Sequence, residues 1–291
     1  PLTPPLSATW QALRQTVTET ITLGELSPKE VCELATYRLG ASSLPDRLAA
    51  LLVGRTQGHP FFAEELCRTL QEQGLVRVLD GRVQLSPDLA SAAVPTRVED
   101  LIQSRIDRLD EQTRLTLKVA SVLGTELPFG ALLGCYPVSI EPPTLRQHLT
   151  TLERFGLLPM ETANPPTYRF KHSITQLVAY GSLLETQWRD LHGRAARYFE
   201  ETLGSTPGRA IDLLAYHYAR SDQSAKAVHY LQLAGEQATR QGSYLVAVDY
   251  FTQALERGCE AGYAVRCAIL EAREQIWRTL GDLAARQQDL E

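Results

Sequence analysis

No loop of the form G-x-x-x-x-G-K-[ST] occurs anywhere in these 291 residues, so the chain encodes no phosphate cradle of its own. H-E-x-x-H, G-x-S-x-G and clustered His/Cys sets are missing too, which leaves no catalytic residues and no metal ligands to nominate. Cysteine is sparse. Its five residues (Cys32, Cys67, Cys135, Cys259, Cys267) are odd in number and never form a C-x-x-C pair, which argues for reduced thiols in a cytoplasmic setting and against a disulfide frame. No apolar run approaches about 18 residues and no basic-then-apolar leader opens the chain, so no membrane partner is expected. A dominant charge sign is lacking as well: the net charge of −5 gives no global electrostatic reason to expect nucleic acid. The six histidines are dispersed, and an isolated helical histidine is ordinarily a satisfied structural residue.

What is present is a soluble, globular composition, 44% apolar and 22% charged, long enough for two or three domains. The chain opens at Pro1, without Met and already mid-pattern, and is expected to belong to something longer. The stretch 55–70, RTQGHPFFAEELCRTL, reads as a tight turn launching an amphipathic helix. Gly58 supplies free torsions, and Pro60 fixes φ at the first helical position, where its missing N–H costs nothing. Phe62, Leu66 and Leu70 form an apolar stripe, and Glu64 and Glu65 sit where the helix dipole favours negative charge. Such a turn either starts a helix and nothing more, or faces a ligand.

Upstream, residues 8–18 are helix-permissive and Ile21–Leu23 suggests a short strand. Ser27, Pro28 and Glu30 supply N-cap, N1 and N3 of a capping box, opening a helix that Gly40 ends. A second helix is expected over 45–56, with Leu48, Leu51 and Leu52 inward. After the third helix, Asp80-Gly81 between two alternating runs signals a β-hairpin.

Pro95 begins a new unit whose first helix sets Val98, Leu101, Ile102, Ile106 and Leu109 on one face, with Arg105 and Arg108 on the other. Helices follow over 115–123, 129–135 and 143–155, then two strands at 156–160 and 167–170 around Asn164-Pro165-Pro166. Three helices and then a hairpin is the winged-helix order. Between Pro95 and Met160 there are seven basic and eight acidic residues, with only Arg146 and Arg154 on the would-be reading helix, too few to neutralise several phosphates. Ser173 is placed to cap a helix reaching Leu184, and Trp188–Leu203 makes another. From Pro207 the chain is repetitive. Gly242-Ser243-Tyr244, Ala247, Phe251 and Ala254 fit a helical repeat with a period near 34, and Ala215, Tyr218, Ala227, Leu231 and Ala234 form a looser earlier copy. A further helix over 261–280 would turn Val265, Ile269, Ile276 and Leu280 inward, and the Arg/Gln-rich end suggests an array that continues.

Taken in order, the capped helix pair, G-H-P-F-F-A-E-E-L, the D-G hairpin, V-P-x-x-V-x-x-L-I-x-x-R-I-D-R-L, the winged-helix pattern, Y-R-F-K-H-S-I-T-Q-L-V-A-Y-G-S-L-L and the repeats resemble the downstream half of a bacterial STAND-class signal-transduction ATPase. The kind it resembles is fused to nucleotide cyclases, protein kinases or transcriptional regulators, and the resemblance covers nearly all of residues 21–257. It implies a mainly α fold: the tail of a nucleotide-binding core (1–24), a helical lid with a small hairpin (25–92), a winged-helix domain with following helices (93–205) and a tetratricopeptide-like α-solenoid (206–291). It also implies a regulatory scaffold that closes over ADP at rest and couples a repeat-based sensor to an effector. ADP or ATP with Mg would be held only with the upstream Walker motifs, and this chain alone would hold neither tightly nor act as an enzyme. Within the resemblance, Gly58 and Pro60 match the glycine-x-proline turn near the adenine, and His172 matches the winged-helix histidine that contacts the β-phosphate of ADP. The family has aspartate where this chain has Ser173. Implied partners are the upstream core, a fused effector and a protein or stimulus at the repeats. A DNA-binding regulator and a repeat adaptor without nucleotide remain the alternatives.

Overall fold

The computed structural model describes residues 23–90, 92, 94–203, 209–258 and 262–290, and these divide into two compact units meeting in sequence between Asp110 and Glu111. The helix-permissive opening and most of the strand expected at Ile21–Leu23 lie outside the described residues. The described chain is mainly helical, with two small antiparallel sheets.

In the unit ending at Asp110, α1 (Pro28–Leu39) starts as its sequence requires. The Ser27 hydroxyl accepts from the Glu30 amide at 3.3 Å while the Glu30 carboxylate accepts from the Ser27 amide at 2.7 Å. Gly40, at φ 67, ends the helix in the left-handed region. Helices α2 (Asp46–Thr56) and α3 (Pro60–Glu72) follow, then β1 (Val76–Leu79) and β2 (Arg82–Leu85). Asp80 and Gly81 both take positive φ, 50 and 74, giving the two-residue loop that pairs Leu79 with Arg82. Val31, Leu48, Leu52, Leu66, Leu70 and Val76 form one core. Leu51, expected inward, is only partly buried against it.

That core also takes in Leu101 of α4 (Val98–Asp107), so the helix grouped by sequence with the following domain packs here. Arg105 does not sit on the outer face of α4. It is 2% exposed and ion-paired to Glu65, itself 8% exposed. Glu65 is therefore an interface residue of α3, not a dipole-tuning surface carboxylate. Around this pair, Glu72 accepts from Arg108 at 2.9 Å and meets Arg68 at 3.4 Å.

The second unit opens with α5 (Glu111–Leu123), β3 (Glu126–Pro128), α6 (Phe129–Gly134) and α7 (Pro142–Arg154), then β4 (Met160–Ala163) and β5 (Pro166–Arg169). The expected three helices and hairpin are present, but the first hairpin strand starts at Met160, and Leu157 and Leu158 before it are core residues. The sheet has a third strand that the sequence order did not suggest. β3 pairs with β5 to give the order β3-β5-β4, with Leu127 opposite Tyr168. Arg169 ties all three strands, donating at 2.7 Å to Glu126 on β3 and to Glu161 on β4.

Helices α8 (Ser173–Gly181), α9 (Glu185–Leu203), α10 (Arg209–Tyr218), α11 (Ser224–Arg240), α12 (Tyr244–Arg257), α13 (Tyr263–Leu280) and α14 (Leu283–Leu290) complete the chain. Of the repeat positions read from sequence, Ala215, Tyr218, Ala227, Leu231, Ala234, Ala247, Phe251 and Ala254 are buried, whereas Gly242 is exposed and Ser243 and Tyr244 are partly buried. Gly235 shows why the repeat needs a small residue, since a Cβ there would stand 2.6 Å from the Phe251 ring. The Tyr218 and Tyr230 rings stack at 5.2 Å, and both hydroxyls donate to Glu200 of α9, at 2.5 and 2.8 Å. Lys226 donates to the same carboxylate at 2.5 Å. These three bonds, above all the Lys226 and Tyr218 ones, outweigh partial desolvation and hold the Glu200 carboxyl down at about 2. In α13, Ile269 and Ile276 face inward, whereas Val265 and Leu280 are exposed. The polar terminal run is itself helical: Asp282 accepts from the Ala285 amide at 3.0 Å, and Asp289 pairs with Arg273.

Candidate functional site

Three residues were singled out by sequence, and the structure distributes them over the two units: Gly58 and Pro60 in the first, His172 in the second. The turn before α3 is built from consecutive left-handed residues, Gln57 at φ 48 and Gly58 at φ 79. Its far side is covered by the chain itself. The Leu26 amide donates to the Gly58 carbonyl at 2.9 Å, and a Cβ on Gly58 would lie 2.5 Å from the Leu26 carbonyl oxygen. Glycine is required here by torsion and by close approach of residues 25–26. Gly58→Ala is accordingly expected to destabilise the first unit by about 2–3 kcal/mol, read as accelerated hydrogen exchange across α1 and α3. Unchanged exchange would show that the turn accommodates a side chain.

His59 is the N-cap of α3, its Nδ1 accepting from the Phe62 amide at 3.3 Å, which places the ring proton on Nε2. Pro60 is exposed at N1. Beside this turn lies a cleft of about 450 Å³ whose walls include Arg55, Thr56, His59, Phe62, Arg97 and Glu99, but neither Gly58 nor Pro60. Thr56 is 2% exposed and its hydroxyl has no hydrogen-bond partner among the described residues. An orphaned buried hydroxyl costs about 1–3 kcal/mol unless something satisfies it. Arg97 reaches Glu99 at 3.3 Å. A hydrogen bond from its own backbone amide, with help from Arg97, holds the Glu99 carboxyl below the usual range. The cleft thus combines two guanidinium groups with the carboxylates of Glu25 and Glu99, an imidazole edge, one aromatic wall and an unmet hydroxyl, a set suited to a planar polar ligand.

In the second unit, β5 ends at Arg169, Phe170 anchors the chain in the core, and His172 follows as the N-cap of α8. Its backbone carbonyl accepts from the Thr175 amide at 3.1 Å, while its half-buried side chain makes no capping bond. The capping role expected for Ser173 is not observed. Ser173 is the first helical residue and is exposed. His172 thus stands at the N-terminus of α8, the end at which the helix dipole favours an anion.

Sequence reasoning missed a buried histidine pair. His192 and His217 face each other with Nδ1 atoms 2.9 Å apart, and the Tyr180 hydroxyl lies 2.9 Å from His192 Nε2. The Trp188 indole donates to that hydroxyl, which also shares a hydrogen bond with His192 Nε2, and the two imidazoles share one between their Nδ1 atoms. This chain bolts α8, α9 and α10 together. Their 25-residue separation gave no local signal.

Among known proteins, residues 27–84 match a family model described as a domain of unknown function, DUF8739. The chain is 24% identical over 206 residues to an uncharacterized protein of Rhizobium meliloti, an alignment covering 68% of this chain and 19% of that protein. It thus spans about a fifth of the length of this curated relative. Among solved structures it resembles a Signal Transduction ATPase with Numerous Domains protein with a tetratricopeptide repeat sensor from Pyrococcus horikoshii, at 14% identity and a TM-score of 0.43, covering 93% of this chain and 41% of that one.

Proposed function

We propose that this chain is the regulatory and sensor part of a nucleotide-switched signalling ATPase of the STAND class. In this reading the unit ending at Asp110 is the helical lid, the helices and three-stranded sheet up to Arg169 are a winged helix, and the helical stack is the sensor. The observation carrying the reading is His172. It stands at the strand-to-helix junction, at the head of a helix whose first turn lacks a side-chain cap. An imidazole at a helix N-terminus can donate to a phosphate oxygen. The lid cleft supports the same reading, since Phe62 offers a face to a base, the Thr56 hydroxyl a polar contact and Arg55 a positive charge. The phosphate floor would come from an upstream core with Walker motifs, so these residues hold and sense the nucleotide without performing hydrolysis. A stimulus at the repeats, followed by exchange of ADP for ATP, would release the closed state and drive a fused effector in the cytoplasm.

In the intact protein, His172→Ala should lower the fraction of ADP that copurifies and speed ADP release by about 10-fold, the loss of one charge-assisted contact of roughly 1.4 kcal/mol. The measurement is release of labelled ADP under excess ATP. Wild-type ADP content and release would exclude the sensor role. Pro60→Ala tests the other edge: unchanged nucleotide affinity would remove Pro60 from the site.

A further inference from the structure

Five arginines of the second unit, Arg169, Arg189, Arg194, Arg273 and Arg286, each meet a carboxylate. Arg220 and Arg257 have no carboxylate partner among the described residues, and both line one cleft of about 340 Å³ between α9, the end of α10 and α12. That volume is at the lower end of the roughly 300–1,000 Å³ typical of ligand pockets.

The walls are held in place. The Arg220 guanidinium stacks 3.8 Å above the Tyr216 ring and donates to the Tyr216 carbonyl at 3.1 Å. Trp188 is fixed by its indole N–H on Tyr180 and by edge contact with His192, ring centroids 4.8 Å apart. A rigid aromatic wall loses little entropy when a ligand settles on it. Gln253 gives its amide N–H to Asp249 at 2.7 Å, which leaves its carbonyl oxygen as an acceptor toward the cleft.

This set of groups discriminates between ligands. Two guanidiniums call for carboxylates. The Gln253 oxygen suits an N–H donor, and a peptide carries amide N–H groups and carboxylates together, whereas phosphate carries no N–H. We propose that this cleft binds an acidic peptide segment, its carboxylates on Arg220 and Arg257 and its backbone beside Gln253, with Trp188 as the wall. This site is independent of the nucleotide reading: it lies wholly within the helical stack and requires no bound nucleotide.

The test uses the 291-residue chain and N-acetylated tri-glutamate with a free C-terminus as the probe. Titration is followed by the indole ¹H–¹⁵N resonance of Trp188, assigned with Trp188→Phe. A saturable shift is expected, weakening as salt rises. Arg257 is an exposed residue in the last turn of α12, so Arg257→Gln leaves the core intact and should weaken binding at least 10-fold. Adding Arg220→Gln should abolish it. The proposal is overturned by any of four results: no saturable shift, equal affinity in Arg257→Gln, equal binding of acetylated tri-glutamine amide, or inorganic phosphate competing as strongly as the peptide.

Discussion

Glu65→Ala should destabilise the unit ending at Asp110 by about 3–5 kcal/mol, because it strands a buried guanidinium instead of merely deleting a salt bridge. Arg105 is 2% exposed, and its Nε and Nη2 find no hydrogen-bond partner among the described residues even with Glu65 present. Burial pulls the Arg105 pKa below its ordinary value, an effect that Glu65 opposes, yet arginine remains charged at neutral pH. With Glu65 gone, the nearest charges acting on Arg105 are Arg68, which adds repulsion, and Glu72, already engaged by Arg68 and Arg108. The double variant Glu65→Leu/Arg105→Met should recover most of the loss, since it removes both desolvation costs while keeping apolar volume between α3 and α4. Native-state hydrogen exchange over residues 60–107 measures both. A single-variant effect below about 1 kcal/mol would mean that water reaches the pair.

The error about Arg105 shows what sequence reading can and cannot supply. Residues 101, 102, 105, 106 and 109 share one helical face by simple phase, four of them apolar. Phase placed Arg105 inside, and residue type argued it outside. Phase was right because a partner carboxylate 40 residues earlier in the chain was available. Local chemistry was read well where it acts locally: the Ser27 box and the Asp80-Gly81 turn are fixed by neighbours within a few positions, and the small residues of the helical stack were legible through their regular spacing. Pairings between distant segments were not readable. β3 is a three-residue strand ending in proline and exists only because β5 lies beside it. Gly58 illustrates the same limit at the candidate site. Its torsion was foreseen, but the approach of Leu26, which makes glycine necessary for the fold itself, was not. His172 was correctly placed at a helix mouth, one residue away from the cap assigned to Ser173.

Acidification should unfold the helical stack through the His192–His217 pair, and the sign follows from the direction of the shifts. Burial, then His217 and Arg220, push the His192 imidazole down to about 3. Burial, then Arg220, push His217 down to about 4. Both lie below the ordinary value of about 6.5, so the unfolded chain binds more protons than the folded one. Stability contributed by the neutral pair is therefore complete above about pH 6.5 and lost as pH falls toward 4. Tyr180, Trp188, Phe199 and Tyr216, the aromatic side chains against the pair, carry no positive charge; Arg220 is the nearby cation that makes a second one costly. Between pH 7 and 4.5 two such groups would together remove on the order of 5 kcal/mol, enough to unfold a domain of ordinary stability. The carboxylates also titrate at the lower end of this range, so the decisive comparison is with His192→Phe/His217→Leu. That variant loses the hydrogen bond to Tyr180 and should be less stable at pH 7, but its unfolding midpoint should fall much less steeply between pH 6.5 and 4.5. Helical circular dichroism against urea at a series of pH values gives both slopes. Parallel slopes would assign the acid sensitivity to other groups and leave the imidazole pair as a neutral bolt between α9 and α10.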